Sequence, residues 1–139
     1  MLVKNIIQTD FVNYKKPSMY IAFPTCTFKC EKECNILGIC QNSKIAKQAS
    51  IEVSTKRILE LYKDAKYAGT EALLCCGLEP FDSWEDLQNL VKEFRKQFLD
   101  DIVIYTGYYE SELVEYLSWL QQYPNIIVKF GRFIPGQES

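Results

Sequence analysis

Short, nearly continuous apolar runs alternate along the chain with segments in which apolar residues recur at helical spacing. The short runs are Ser18–Phe23, residues 70–76, Asp101–Tyr105 and residues 125–130. Each run has the length and composition of a strand that is buried on both faces. Residues 3–7 predict either an additional strand or an extended arm. The sequence therefore predicts at least four strands.

Three helices are predicted between these strands. Ser54 is a candidate N-cap for the first helix, which Gly69 ends. Ser83 is a candidate N-cap for the second, with Asp86 three residues later in a weak form of the capping box. The third is predicted over residues 110–122. The buried stripes of the three helices are, in turn, Ile58, Leu61, Tyr62 and Ala65; Leu87, Leu90, Val91, Phe94 and Phe98; and Leu113, Leu117 and Leu120.

This alternation of apolar strands with helices is typical of an α/β fold with a parallel sheet. The sheet is expected to be open or to form part of a (βα) barrel, with the helices outside. The chain has 139 residues, a length that suits one domain, so residues 1–139 are predicted to fold as a single unit. Ligand sites of parallel α/β folds lie at the carboxyl ends of the strands.

Charge and hydropathy favour a cytoplasmic protein that binds neither nucleic acid nor membrane. The net charge is −2 and the pI is about 5.2, so the chain carries no general basic signature for nucleic acid. No apolar run is long enough to span a bilayer, and the N-terminus lacks the pattern of a signal peptide. Cysteines in a reducing compartment act more often as ligands or redox groups than as structural disulfides.

Four of the six cysteines fall within fifteen residues, directly after the first predicted strand of the sheet, and the chain has no histidine. They are Cys26, Cys30, Cys34 and Cys40. Thiolates gathered on one loop bind an iron–sulfur cluster or zinc. The third ligand could be Cys34 or Cys40, and a fourth protein ligand would give a closed structural site. Three ligands would leave one iron open for a substrate or cofactor.

Other candidate residues follow the later strands. Glu79 lies between a glycine and a proline, where a carboxylate could bind an ammonium group, although a solvated loop residue is the ordinary explanation. Residues 105–109 place three tyrosines and a threonine around a glycine, which could frame a flat ligand such as adenine or could cover the core. Arg132 could bind a carboxylate or phosphate, or pair with a surface acid. Cys75 and Cys76 are expected to be small buried apolar residues.

Five segments in this order resemble the radical S-adenosylmethionine (SAM) superfamily, and most closely the small activating proteins of anaerobic ribonucleotide reductase. The segments are Asp10-Phe-Val-Asn13, Cys26-Thr-Phe-Lys-Cys30, Gly77-Leu-Glu79-Pro80, Tyr105-Thr-Gly-Tyr108 and Gly131-Arg-Phe133. Each segment is weak evidence alone, but the five together cover residues 10–133. The resemblance implies a shortened radical SAM fold.

The cysteine loop departs from the pattern of that family, which has its third cysteine three positions after the second. Cys34 stands four positions after Cys30, and Cys40 stands ten positions after it. Cys40 is favoured because Ile39 precedes it and Asn42 follows two positions later, as in the family. The resemblance thus implies a [4Fe–4S] cluster on Cys26, Cys30 and Cys40, with Cys34 as the alternative third ligand.

The resemblance also implies a cofactor and a reaction. The open iron would chelate the methionine group of SAM, and one electron from the cluster would cleave it to a 5′-deoxyadenosyl radical. Glu79 would contact the methionine amino group. The residues expected to bind the cofactor are Phe28, Ile39, Gln41, Gly77, Glu79, Tyr105, Thr106 and Tyr108.

The implied substrate is a glycine of a partner protein, such as anaerobic ribonucleotide reductase, and the electron donor would be a flavodoxin or ferredoxin. The sequence leaves three alternatives open. One is radical modification of a peptide or small molecule, another is a non-catalytic iron–sulfur protein of electron transfer or regulation, and the third is a zinc-stabilised interaction domain.

Overall fold

A computed structural model describes residues 1–24, 51–77 and 79–131. The Cys26–Cys40 loop lies outside these ranges. The strands are β1 (Leu2–Val3), β2 (Asn5–Asp10), β3 (Ser18–Phe23), β4 (Ile51–Glu52), β5 (Ala72–Gly77), β6 (Asp101–Tyr105) and β7 (Ile126–Lys129). The α-helices are α1 (Thr55–Tyr67), α2 (Trp84–Gln97) and α3 (Val114–Leu120), and short 3₁₀ turns cover Pro80–Ser83 and Glu110–Glu112.

The central sheet has five strands in the order β2-β3-β5-β6-β7. Strands β3, β5, β6 and β7 are parallel, whereas β2 pairs antiparallel with β3 at one edge. The two short strands β1 and β4 form a separate antiparallel pair. The predicted α/β class with a mostly parallel sheet is confirmed. The N-terminal segment, for which the sequence left an arm open, supplies strands β1 and β2.

All three helices contribute to one apolar core on the same side of the sheet. Alternate strand residues face this side, including Met19, Ile21, Leu73, Cys75 and Ile104, all fully buried. Tyr62 of α1 packs edge-on against the rings of Phe94 and Phe98, at centroid distances of 4.7 and 4.9 Å. Such aromatic pairs contribute about 0.5–1.5 kcal/mol each beyond their buried area. This core fixes the strands that carry the site.

The intervening strand residues point to the other side of the sheet, here called the far face. A hydrophobic cluster of the buried residues Leu74, Cys76 and Val103 lies on this face, and Tyr14, Tyr20, Tyr105 and Ile127 pack against it. Of the two adjacent cysteines, Cys75 therefore faces the helix side and Cys76 faces the far face. Both thiols are buried, as the sequence predicted.

The helix boundaries confirm some of the expected capping and contradict the rest. The Ser54 side chain accepts a hydrogen bond from the Arg57 amide at 3.1 Å, so this predicted cap is confirmed. Ser83 stands at the N-cap position of α2 as predicted, but its side chain makes no cap hydrogen bond, so the predicted capping contact was wrong. A 3₁₀ turn over Pro80–Ser83 already leads into α2, and it is the Glu79 side chain that caps this turn. The third helix is shorter than predicted, since residues 110–112 form a separate 3₁₀ turn.

Candidate functional site

The carboxyl ends of β3, β5 and β6 meet at one edge of the sheet, here called the rim. Phe23 at the end of β3 is level with Gly77 at the end of β5, and β6 ends beside them at Tyr105. Cys26 follows Phe23 by three residues in the sequence. The chain therefore leaves the rim directly into the cysteine-rich segment.

Glu79 is the buried charged residue of the rim, with only 4% of its surface exposed. Its Oε2 accepts hydrogen bonds from the Phe81 amide at 3.1 Å and from the Thr106 hydroxyl at 2.8 Å. Its Oε1 accepts one from the Gly107 amide at 2.8 Å. One carboxylate therefore joins the loop after β5 to the loop after β6.

The surroundings of Glu79 disfavour the ionised form of its carboxyl group. Burial raises the pKa of its carboxyl to about 7, and the nearby Asp82 adds to the effect, although the three hydrogen bonds oppose it. No ion pair with Glu79 is recorded among the described residues. A carboxyl group with a strongly perturbed pKa at a strand end is a recurrent property of binding and catalytic sites.

A second side-chain bridge runs parallel to the Glu79 contacts. The Tyr108 hydroxyl donates to Asp82 Oδ1 at 2.5 Å, so the loop after β6 is tied again to the turn after β5. Burial, together with this hydrogen bond, raises the pKa of the Tyr108 phenol. The two bridges fix the relative positions of the two rim loops.

Gly77 has a packing requirement of its own. Its φ is +83°, and a Cβ built there would stand 2.6 Å from both the Ala22 Cα and the Phe23 amide nitrogen. The backbone of β3 therefore approaches β5 more closely than any side chain would allow. This close approach is enough to explain why residue 77 is a glycine. The role of Gly77 in cofactor binding therefore stays a prediction.

The far face is crossed by residues 11–17, here called the strap, which link β2 to β3. Tyr14 of the strap donates its hydroxyl to Asp101 Oδ2 at 3.0 Å, and Lys16 donates to the same oxygen at 3.0 Å. Tyr105 donates its hydroxyl to the carbonyl of Asn13. The strap thus covers the far face from Asp101, at the amino end of β6, towards Tyr105, at its carboxyl end.

The structure brings several of the residues predicted from sequence together and separates others. Glu79 and Thr106 are in direct contact, Gly77 lies beside them at the end of β5, and Tyr108 belongs to the same rim. Tyr105 instead points to the far face, where it contacts the strap. Cys26, Phe28, Cys30, Cys34, Ile39, Cys40, Gln41 and Arg132 lie outside the described residues, so their roles stay predictions.

Two rim residues were not identified from the sequence. Phe81 acts through its backbone amide, for which the side chain gives no signal. Asp82 is one of many acidic residues and becomes distinctive only when the fold places it opposite Tyr108. Its position in the turn directly after the Gly-Leu-Glu-Pro segment is the only sequence signal that could have indicated it.

The described residues offer neither a metal site nor a membrane-spanning helix. Within residues 1–24, 51–77 and 79–131, no three cysteine or acidic side chains are grouped so that they could hold a metal ion. No helix in these ranges has the length and apolarity needed to cross a membrane. The four cysteines that follow β3 in the sequence offer thiolates, which are the ligands of [4Fe–4S] clusters.

Comparison with known proteins supports this assignment. The family model described as a 4Fe-4S single cluster domain matches residues 19–137, which include the cysteine loop, the rim and all four parallel strands. No curated protein and no solved structure matches the chain. The predicted iron–sulfur function and [4Fe–4S] cofactor are supported by this match. The chain belongs to the 4Fe-4S single cluster domain family, a family associated with radical SAM proteins.

Proposed function

We propose that this protein is a radical SAM enzyme, and that it acts as an activase for a glycyl-radical protein such as anaerobic ribonucleotide reductase. The cluster and SAM would together supply a 5′-deoxyadenosyl radical, which would remove a hydrogen atom from a glycine of the partner. A flavodoxin or ferredoxin would reduce the cluster. The chain's own residues would bind and orient the cofactor and exclude water.

The observation that carries this proposal is the Glu79 carboxylate. It is buried at the strand ends, three donors of the chain hold it, and no cation contacts it among the described residues. Burying a carboxylate in this way is costly, and an amino group of a ligand would offset that cost by donating to it. An amino group that is bound close to the cysteine loop is what the methionine part of SAM would provide.

The position of the cysteines agrees with this reading. The segment that holds them follows β3, and β3 is level with β5 at the rim. Cys26, Cys30 and either Cys40 or Cys34 would hold the cluster, and three ligands would leave one iron open. A cluster held after β3 and an amino-group acceptor held after β5 would face the same ligand.

The test is anaerobic reconstitution with iron and sulfide, followed by electron paramagnetic resonance of the reduced protein with and without SAM. We expect a [4Fe–4S] signal that changes when SAM is added. A signal indifferent to SAM would favour electron transfer or regulation, and a protein that holds zinc and no cluster would refute an iron–sulfur function.

Two variants refine this test. Glu79→Gln keeps the size of the side chain but removes its charge, and we expect SAM affinity to fall at least about tenfold, the loss typical of a hydrogen bond to a charged group. Glu110→Gln is the matched control, because Glu110 is exposed in the 3₁₀ turn after β6. Equal affinities of the two variants would remove Glu79 from the site.

The third cluster ligand is tested separately. We expect Cys40→Ala to lose the cluster and Cys34→Ala to retain it, as measured by iron content and the visible absorption of the cluster. The opposite result would show Cys34 to be the third ligand.

A further inference from the structure

The Thr106 side chain makes a contact that the sequence did not suggest. Residues 105–108 were expected to lie along an adenine ring, but the Thr106 hydroxyl is 2.8 Å from Glu79 Oε2. Thr106 is itself 6% exposed, so its hydroxyl is enclosed. The backbone amide of Tyr108 donates to the same hydroxyl oxygen at 3.1 Å. The hydroxyl oxygen thus accepts from the chain, and its own hydrogen is directed to the carboxylate.

The donors around Glu79 leave part of its acceptor capacity open. An ionised carboxylate has about four acceptor positions, two on each oxygen. Oε2 receives two hydrogen bonds, from Phe81 and Thr106, whereas Oε1 receives one from the Gly107 amide among the described residues. The acceptor position that stays open among the described residues is therefore the second one on Oε1.

We propose that Thr106 is a positioning residue, whose hydroxyl holds Glu79 in one orientation and leaves the second acceptor position of Oε1 for an amino group of the ligand. Thr106 then acts on the ligand through Glu79 and does not touch it. This inference rests on the proposed function for the identity of the ligand. The contact between Thr106 and Glu79 does not depend on that identity.

Two properties suit threonine to this role. Its β-branched side chain has few rotamers, so the hydroxyl is held in place at little additional entropic cost. A hydroxyl also donates to a carboxylate without adding a charge, so it favours the ionised form while it leaves the carboxylate without a permanent cationic partner. A lysine or arginine in its place would compete with the ligand.

The first experiment follows the titration of Glu79 in the cluster-loaded protein without SAM. Isotope-edited infrared spectroscopy identifies its protonated carboxyl band as the one absent from Glu79→Gln. We expect this band to titrate at about pH 7 in the wild type. Thr106→Val removes one hydrogen bond to the charged form, so the pKa should rise by about one unit. Thr106→Ser should restore most of the difference, and an unchanged pKa in Thr106→Val overturns the proposal.

The second experiment measures equilibrium binding of SAM to wild type and Thr106→Val at pH 7 and pH 8.5. The ratio of the two affinities is compared, so that titration of the ligand's own amino group cancels. At pH 7 a shift of about one unit lowers the ionised fraction of Glu79 from about one half to about one tenth, which predicts a fivefold weaker affinity. At pH 8.5 the change in ionisation alone would leave the two affinities within a factor of about 1.5, so any larger loss at this pH measures the lost orientation of Glu79.

These results separate the possible roles of Thr106. A loss of affinity that is equal at both pH values, together with an unchanged titration of Glu79, would mean that Thr106 contacts the ligand itself or only supports the fold, and it would overturn the proposal. If the wild type binds no SAM at all while Thr106→Val still shifts the titration of Glu79, the proposed function is refuted and the positioning of Glu79 by Thr106 is supported.

Discussion

Replacing Gly77 by alanine tests the close approach of β3 and β5 at the rim. The added Cβ would meet the Ala22 Cα and the Phe23 nitrogen at 2.6 Å and the Ala22 carbonyl carbon at 2.8 Å. These are backbone atoms of a central strand, so no side-chain rotation can relieve the contact. The two strands must separate or the end of β5 must change its conformation.

The expected cost has two parts. A φ of +83° is unfavourable for an L-residue by about 1–2 kcal/mol. Insertion of a methyl group into a well-packed region costs about 1–3 kcal/mol more. Together they predict a loss of about 2–5 kcal/mol, which is large against a total stability of about 5–15 kcal/mol.

Gly69 supplies the matched control. It has a φ of +105° after the end of α1, but a Cβ there would have nothing within 4 Å. Gly69→Ala should therefore lose only the backbone part, about 1–2 kcal/mol. Urea unfolding under anaerobic conditions, followed by circular dichroism, measures both variants, with the slope m as the check on a common unfolded state. If Gly77→Ala is no less stable than Gly69→Ala, the steric reasoning is wrong.

The remaining predictions concern Glu79 and the strap. Because burial raises the folded-state pKa of Glu79 from 4.5 to about 7, the stability that its proton contributes is complete below about pH 4.5 and is lost as the pH rises through 7. Unfolding free energies should therefore fall by up to about 3 kcal/mol across this window in the wild type but not in Glu79→Gln, and equal slopes would contradict the shift. Tyr14→Phe removes the hydroxyl that donates to Asp101, so alkylation of Cys76 beneath the strap should become faster while that of Cys75 on the helix side does not change. Mass spectrometry of each peptide measures both rates, and a parallel increase at the two thiols would indicate general loosening instead.

The fold class could be predicted because the apolar runs are nearly continuous and are regularly separated by helical patterns. Such runs reflect burial, which depends on composition more than on details of neighbouring elements. The antiparallel pairing of β2 was not predicted, because its residues are half exposed and carry no continuous apolar signal. Pairing at a sheet edge depends on backbone hydrogen bonds to β3, and these leave little trace in side chains.

The capping of α2 shows a second limit. Ser83 has the residue type and spacing of an N-cap, but a preceding 3₁₀ turn changes the direction from which the chain approaches the helix. Glu79 provides the side-chain cap four residues earlier, through its contact with the Phe81 amide. A local pattern cannot distinguish these arrangements, because Glu79 is also held by Thr106 and Gly107, which follow β6 and are distant in the sequence.

The candidate site was predicted in part for a similar reason. Parallel strands place their carboxyl ends at one edge, so the convergence of Glu79 and residues 105–108 followed from the order of elements alone. The order of the elements did not predict the direction of each side chain. Tyr105 is the last residue of β6 and its alternation sends it to the far face, whereas Thr106 is the first residue beyond the strand and turns to Glu79.

The three hydrogen bonds to Glu79 hold the rim in place without neutralising the charge of the carboxylate. Three donors lower the cost of burying the Glu79 carboxylate without supplying a charge, so its pKa is about 7 and, under the proposed function, its ionisation would respond to a ligand. A fixed cation would stabilise the carboxylate more strongly and would also occupy the position that an amino group needs. If the proposed function holds, binding of the ligand should lower the pKa of Glu79 and remove the pH dependence of stability that is predicted for the free protein. Unfolding of the cluster-loaded protein in saturating SAM, measured across pH 5 to 8, would test this coupling directly, and a pH dependence identical to that of the SAM-free protein would contradict it.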